Sequence, residues 1–141
     1  TLVKSARFPD PDQDQGHHQR NFRIVPDASV LEAVAAGQQI NLGEREINGA
    51  PVDAPFSVDG AVVESVALAP DRSGDLVIRL YEAEGGPSRV TFRAPKAGSV
   101  TACDLRYRPS ESEPELRGGQ GEWSFDLSAF QITTLRVSFA K

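Results

Sequence analysis

The chain contains no methionine and a single cysteine, Cys103, among its 141 residues. One cysteine excludes an intrachain disulfide and fits a reducing compartment, so we predict a cytoplasmic location. The chain also begins at Thr1 rather than at a methionine, which leads us to expect a domain cut out of a longer protein.

Long apolar runs and an excess of positive charge are also missing. No run approaches the ~20 apolar residues of a membrane-spanning helix, and the chain opens with no signal-peptide pattern. The net charge is −5, with basic residues interleaved among acids, which argues against nucleic acid and anionic membranes as partners. The length suits one domain, so we predict a single domain over residues 1–141.

Alternation of apolar and polar residues predicts that most of the chain forms strands. The pattern is clearest over residues 132–139, and further strands are expected at 2–7, 62–69, 75–83, 89–94, 100–106 and 123–127. Turns rich in Gly and Pro separate several of them. Short strands at roughly ten-residue spacing are typical of an antiparallel β-sandwich, so we predict an all-β fold of that kind.

One short helix is predicted near residues 30–37. Ser29 and Glu32 have the spacing of a capping box, in which each side chain bonds the other residue's backbone N–H. Apolar residues from Val30 to Val34 supply a stripe for packing, and Gly37 is the expected stop.

Two long segments read as loops. Residues 43–55 are rich in Gly, Pro and Asn and predict a loop or a weak strand pair. Residues 109–121 predict an exposed loop, because three glutamates repel one another and three glycines favour disorder.

Residues 8–18 hold two prolines and three alternating aspartates. Asp10, Asp12 and Asp14 are spaced like the first ligands of a calcium loop. Gly16, however, falls one place late, and Asn21 occupies the position of the bidentate glutamate. A proline-stiffened surface turn with solvated carboxylates is therefore the favoured interpretation.

His17 and His18 follow directly. Adjacent residues of a strand point to opposite faces, so the pair is poorly placed to share one metal, and we predict no metal site in this chain. We expect one of the two to be exposed and the other to hydrogen-bond a neighbouring loop or an adjacent domain.

Glu82 and Glu84 follow an apolar strand. Paired carboxylates can run glycoside hydrolysis, but their position at a strand end favours a solvated pair. Glu82 pairing with Arg79 or Arg89 remains an alternative.

The remaining reactive or aromatic residues point to no catalytic constellation. Cys103 lies mid-strand without an activating partner, which favours a buried, inert thiol. Trp123, Tyr81 and Tyr107 could form a sugar-stacking platform, although buried aromatics are commoner in a sandwich.

Three segments, taken in their order along the chain, carry motifs that can be compared with those of known protein families. The first, residues 7–26, has a proline–aspartate run and then Asp14-x-Gly16-x-His18, followed by an aromatic strand that ends in proline. The second, residues 73–83, contains Arg-Leu-Tyr-Glu. The third, residues 130–137, reads Phe-Gln-Ile-Thr-Thr-Leu.

Together the three segments resemble the C-terminal region of glycoside hydrolase family 38 α-mannosidases. Two positions depart from the family pattern: Asp27 stands where histidine is frequent, and Gln131 stands where glutamate is usual. The resemblance covers essentially the whole chain.

The resemblance implies a C-terminal accessory domain of an enzyme that hydrolyses terminal α-D-mannosides with retention. Zinc and the aspartate nucleophile belong to an N-terminal catalytic domain, none of which is in this sequence. We therefore expect no catalytic residue here, no activity of this chain alone, and zinc only in the missing domain.

The expected partner is the catalytic domain of the parent chain, with α-mannoside substrate reached through it. Pro9 and Pro11 would fix the Asp14, Gly16 and His18 loop, which we expect to dock on that domain or to rim its sugar pocket. Two rivals remain open: an autonomous carbohydrate-binding module, with a line of exposed aromatics, and a purely structural domain.

Overall fold

Eight strands and one helix form the described part of the chain, which in this computed structural model comprises residues 8–42, 48–50, 53–110 and 113–139. The elements are α1 (Val30–Leu42), β1 (Ser57–Asp59), β2 (Val62–Leu68), β3 (Leu76–Tyr81), β4 (Ser88–Arg93), β5 (Ala97–Cys103), β6 (Arg117–Gly119), β7 (Glu122–Leu127) and β8 (Ile132–Phe139). They form two four-stranded antiparallel sheets, in the orders β1-β4-β7-β6 and β2-β3-β8-β5. The prediction of an all-β sandwich is confirmed.

The second sheet is built around β3 and β8. These strands pair antiparallel along their whole shared length, from Leu76 opposite Val137 to Tyr81 opposite Ile132. Alternate residues of both strands point into the sandwich, as the period of two predicted. Ile78, Leu80, Leu135 and Val137 are fully buried there.

The first sheet supplies the other half of the core. Its buried side chains are Val90 and Phe92 from β4, and Trp123, Phe125 and Leu127 from β7. On the solvent face, the Arg93 guanidinium bonds the carboxylates of Asp59 and Glu122, one on each neighbouring strand.

The helix begins as its capping box predicted. The Ser29 Oγ accepts a hydrogen bond from the Glu32 N–H at 3.2 Å, and the Glu32 carboxylate accepts one from the Ser29 N–H at 2.8 Å. The predicted stop at Gly37 is wrong, because Gly37 does not adopt a left-handed φ. The next residue, Gln38, donates to the Val63 carbonyl of β2 at 3.1 Å and keeps this part of the helix against the sheet. No helix in the described ranges is long and apolar enough to cross a membrane.

The expectation of a loop over residues 109–121 is wrong in part, because β6 lies within it and pairs with β7. Gly118, at φ +125, permits this close pairing: a Cβ there would sit 2.4 Å from the Glu122 carbonyl oxygen. The glycine therefore serves strand contact and not disorder. The strand predicted at residues 2–7 and most of the 43–55 segment fall outside the described residues.

Candidate functional site

Residues 10–18 form a turn held by hydrogen bonds within itself. The Asp12 N–H donates to Asp10 Oδ1 at 3.0 Å, and the Gln15 side-chain amide donates to the Pro11 carbonyl at 3.1 Å. The proline-stiffened surface turn is confirmed: almost every side chain of the stretch is exposed.

The residues of the Asp14, Gly16 and His18 motif set the backbone conformation of this turn and close it with a hydrogen bond. Asp14 and Gly16 both have left-handed φ values, +58 and +120. The space around a Cβ at Gly16 is empty within 4 Å, so glycine serves the backbone conformation alone. The His18 Nε2 lies 2.7 Å from the Asp14 carbonyl oxygen.

That hydrogen bond determines which ring nitrogen of His18 is left to bond a partner. A carbonyl oxygen can only accept, so Nε2 carries the proton, and Nδ1 of the neutral ring is left as an acceptor. Both His17 and His18 are exposed. We expected one of them to bond a neighbouring loop or an adjacent domain. In the described residues the His18 ring bonds a carbonyl of its own turn and not a neighbouring loop, while the bond to an adjacent domain stays a prediction.

Metal chemistry finds no ligand set in the described ranges. No three His, Cys, Asp or Glu side chains come together there as a metal site would need. The family resemblance places zinc in the catalytic domain, which is not part of this sequence. That placement stays a prediction, and we derive no step through zinc.

Residues 8–42, which we call the arm, carry this turn and α1 but contribute nothing to the core. No residue of the arm is buried. The Arg23 guanidinium bonds the Gln39 side chain at 2.8 Å, and a cleft of about 380 Å³ remains between residues 21–28 and α1. Phe8, Phe22 and Ile24 are exposed.

Glu82, at the end of the second motif, is buried and not solvated. Its side chain is only 3% exposed, and its carboxylate accepts from the backbone N–H groups of Glu84 (2.6 Å), Gly85 (2.9 Å) and Phe130 (2.9 Å). The Phe130 N–H makes the largest contribution to lowering the pKa of Glu82. The predicted solvated pair is therefore wrong for Glu82, as is pairing with an arginine, because backbone donors satisfy the charge.

The opposite end of the same strand pair is tied by Arg136. Its Nε donates to Asp75 Oδ2 at 2.7 Å, and its Nη2 donates to Asp71 Oδ2 at 2.6 Å and to Ser73 Oγ at 3.1 Å. Hydrogen bonds from Ser73, and next from Arg136, lower the pKa of Asp71 to about 2. The second and third motifs are thus joined at both ends of β3 and β8.

Two further expectations concern Cys103 and the aromatics. Cys103 is buried, as predicted, and burial raises the pKa of its thiol, which is the environment expected of an inert residue. Trp123 packs in the core beside Phe92, so it is not available to stack on a sugar. Tyr81 and Tyr107 are half-buried.

Sequence reasoning missed the Arg136 cluster and the unusual Phe130. The alternation of Asp71, Ser73 and Asp75 before β3 is a pattern that could have indicated a turn able to bind the guanidinium of an arginine. Phe130 has a left-handed φ of +57. No local signal marks it, because its partner Glu82 is distant in sequence.

The fold and these contacts define a β-sandwich domain with an exposed N-terminal arm. Residues 60–135, more than half of the chain, match the family model described as the glycosyl hydrolases family 38 C-terminal beta sandwich domain. The chain belongs to this family, whose domains are part of larger family 38 enzymes. No curated protein matches it significantly. The matched residues contain all of the second motif and most of the third, whereas the arm lies outside them.

Proposed function

We propose that this chain is the C-terminal accessory domain of an α-mannosidase and that its arm docks on the catalytic domain of the same enzyme. The catalytic domain would supply the zinc, the nucleophile and the retaining hydrolysis of terminal α-D-mannosides. The chain itself positions that domain and hydrolyses nothing alone. We also propose that the enzyme is cytoplasmic, as the single cysteine favours.

The observation that carries this proposal is the isolation of the Asp14, Gly16 and His18 motif from the core. Each of the three residues is exposed, and the recorded hydrogen bonds of residues 10–18 stay within the turn. A motif that resembles a family pattern but does not stabilise its own domain is best explained by a contact outside it.

The chemistry of the turn defines that contact. The Nδ1 of neutral His18 can accept one hydrogen bond, from a backbone N–H of the catalytic domain or from a sugar hydroxyl at the rim of its pocket. The turn is closed by its own hydrogen bonds, so the imidazole is held in place before docking and little side-chain entropy is lost. Exposed Phe22 and Ile24 would add apolar contact area.

The test is His18→Ala in the parent enzyme, with His17→Ala as the control because His17 is the adjacent exposed histidine. We expect His18→Ala to lower kcat/KM for a chromogenic α-mannoside by about tenfold, the loss of one good hydrogen bond. Docking predicts that resistance to thermal inactivation falls as well. Contact with the sugar alone predicts a kinetic change without that loss.

His18→Ala with unchanged activity and unchanged thermal inactivation would overturn both versions. A similar loss in His17→Ala would assign the effect to general damage of the turn. The rival of an autonomous carbohydrate-binding module relied on Trp123, Tyr81 and Tyr107 as its stacking aromatics. Trp123 is in the core and both tyrosines are half-buried, so these three residues do not form the exposed line that the rival requires.

A further inference from the structure

Phe130, in the turn between β7 and β8, combines backbone strain with exposure. Its φ is +57, a conformation that L-residues other than Asn and Asp rarely adopt. Its side chain is 70% exposed, so burial of the ring does not compensate the strain. Strain of this kind persists where the surrounding structure enforces it, and it clusters at recognition sites.

The surroundings of Phe130 enforce its position. The buried Glu82 carboxylate holds the Phe130 N–H and the N–H groups of the facing β3–β4 turn. The ring lies over Gly85, where a Cβ would come within 2.8 Å of the Phe130 Cζ. The two turns are therefore built around a phenyl ring that they present to the outside.

Phe130 lies at the same end of the sandwich as α1. Tyr81, the last residue of β3, pairs with Ile132 on one side and with Val62 on the other. The next residue of β2, Val63, accepts the hydrogen bond from Gln38 of α1. The helix and the Phe130 turn thus flank one end of one sheet.

The neighbours of Phe130 indicate what it contacts. Ile132, two residues on, is also largely exposed, and it pairs with the half-buried Tyr81. The Gln131 side-chain oxygen is already used, since it accepts from the Ser128 N–H. An aromatic ring beside an aliphatic side chain suits an apolar protein surface, as aromatic anchors do at interface centres.

We propose that Phe130 and Ile132 form a second docking contact with the catalytic part of the parent enzyme, at the end of the sandwich that α1 flanks. This inference rests on the proposed function and names a part of the docking surface that the His18 motif does not include. The occupant is the same polypeptide, because domains of this family are part of larger enzymes.

The experiment compares Phe130→Asn in the 141-residue chain and in the parent enzyme. Asparagine tolerates the left-handed backbone, so we expect the melting temperature of the chain to hold or to rise by up to about 2 °C. In the parent enzyme we expect the half-life at a fixed inactivating temperature to shorten by about threefold or more, because the docked domain is held less firmly.

Leu68→Asn is the matched control. Leu68 is 69% exposed and ends β2 at the opposite end of the same sheet, opposite Leu76. We expect this substitution to affect the isolated chain and the parent enzyme alike. The control would then show that the effect of Phe130→Asn on the parent enzyme comes from a lost docking contact and not from the loss of any exposed apolar side chain.

Three outcomes would overturn the proposal. One is an equal effect of Phe130→Asn in the two contexts. Another is a clear loss of stability in the isolated chain, which would make the ring a structural residue. The third is binding of methyl α-mannoside to the chain that Phe130→Asn removes, which would make the turn a sugar site. If Phe130→Asn leaves the parent enzyme unchanged while His18→Ala impairs it, only this extension fails.

Discussion

The arm and the sandwich of this chain differ in how far their motif residues contribute to the folded core. In the sandwich, most residues of the second and third motifs fill the core or tie β3 to β8, as Leu80 and Arg136 do, although Phe130 and Ile132 are exposed. In the arm no residue is buried, and the His18 ring bonds the Asp14 carbonyl of its own turn. Motif residues that are buried in the sandwich serve folding, whereas motif residues that are exposed, as in the arm, are available for contact with a partner.

The largest expected contrast compares two phenylalanines. Phe125→Ala in the sandwich should cost about 3–5 kcal/mol, since the ring is fully buried and its loss leaves a cavity. Phe22→Ala in the arm, where the ring is 68% exposed, should change stability by less than about 0.5 kcal/mol. Urea unfolding of the chain measures both. Similar losses would mean that the arm belongs to the cooperative unit of the sandwich.

A smaller contrast compares the two glutamates after β3. Glu82→Gln weakens three bonds to backbone N–H groups and places a buried amide where no partner awaits its donors, so we expect the melting temperature to fall by roughly 5 °C or more. Glu84→Gln, on an exposed residue, should leave it nearly unchanged. Thermal unfolding followed by circular dichroism is the measurement. Equal behaviour of the two variants would contradict the role given to Glu82.

The smallest contrast compares how the melting temperature of the unaltered chain and of Arg136→Gln changes in acid. The pKa of Asp71 is lowered to about 2 from an ordinary value of 3.8. Its stabilising contribution is therefore fully present above about pH 4 and is lost as the pH falls toward 2. Arg136→Gln removes one cause of the shift, so its melting temperature should fall less steeply over this range. A slope identical to that of the unaltered chain would show that Arg136 does not contribute to the acid response.

Most strands were predictable because their residues alternate along the chain. β8 begins and ends where predicted, and the capping box located the start of α1. β1 and β6, of three residues each, carry too little pattern and form because longer neighbours pair with them. The hydrogen bonds of the Glu82 carboxylate could not be predicted, because its partner Phe130 is 48 residues away in the sequence.

The position of β8 has a consequence for how the domain assembles. Among the described residues β8 is the last strand, yet it lies between β3 and β5, and there β5 pairs with no other strand of its sheet. Until β8 has been synthesised, the second sheet consists of the β2–β3 hairpin and an unpaired strand. The domain therefore closes late, through contacts between residues that are distant in sequence, which is the slow route for a β-protein.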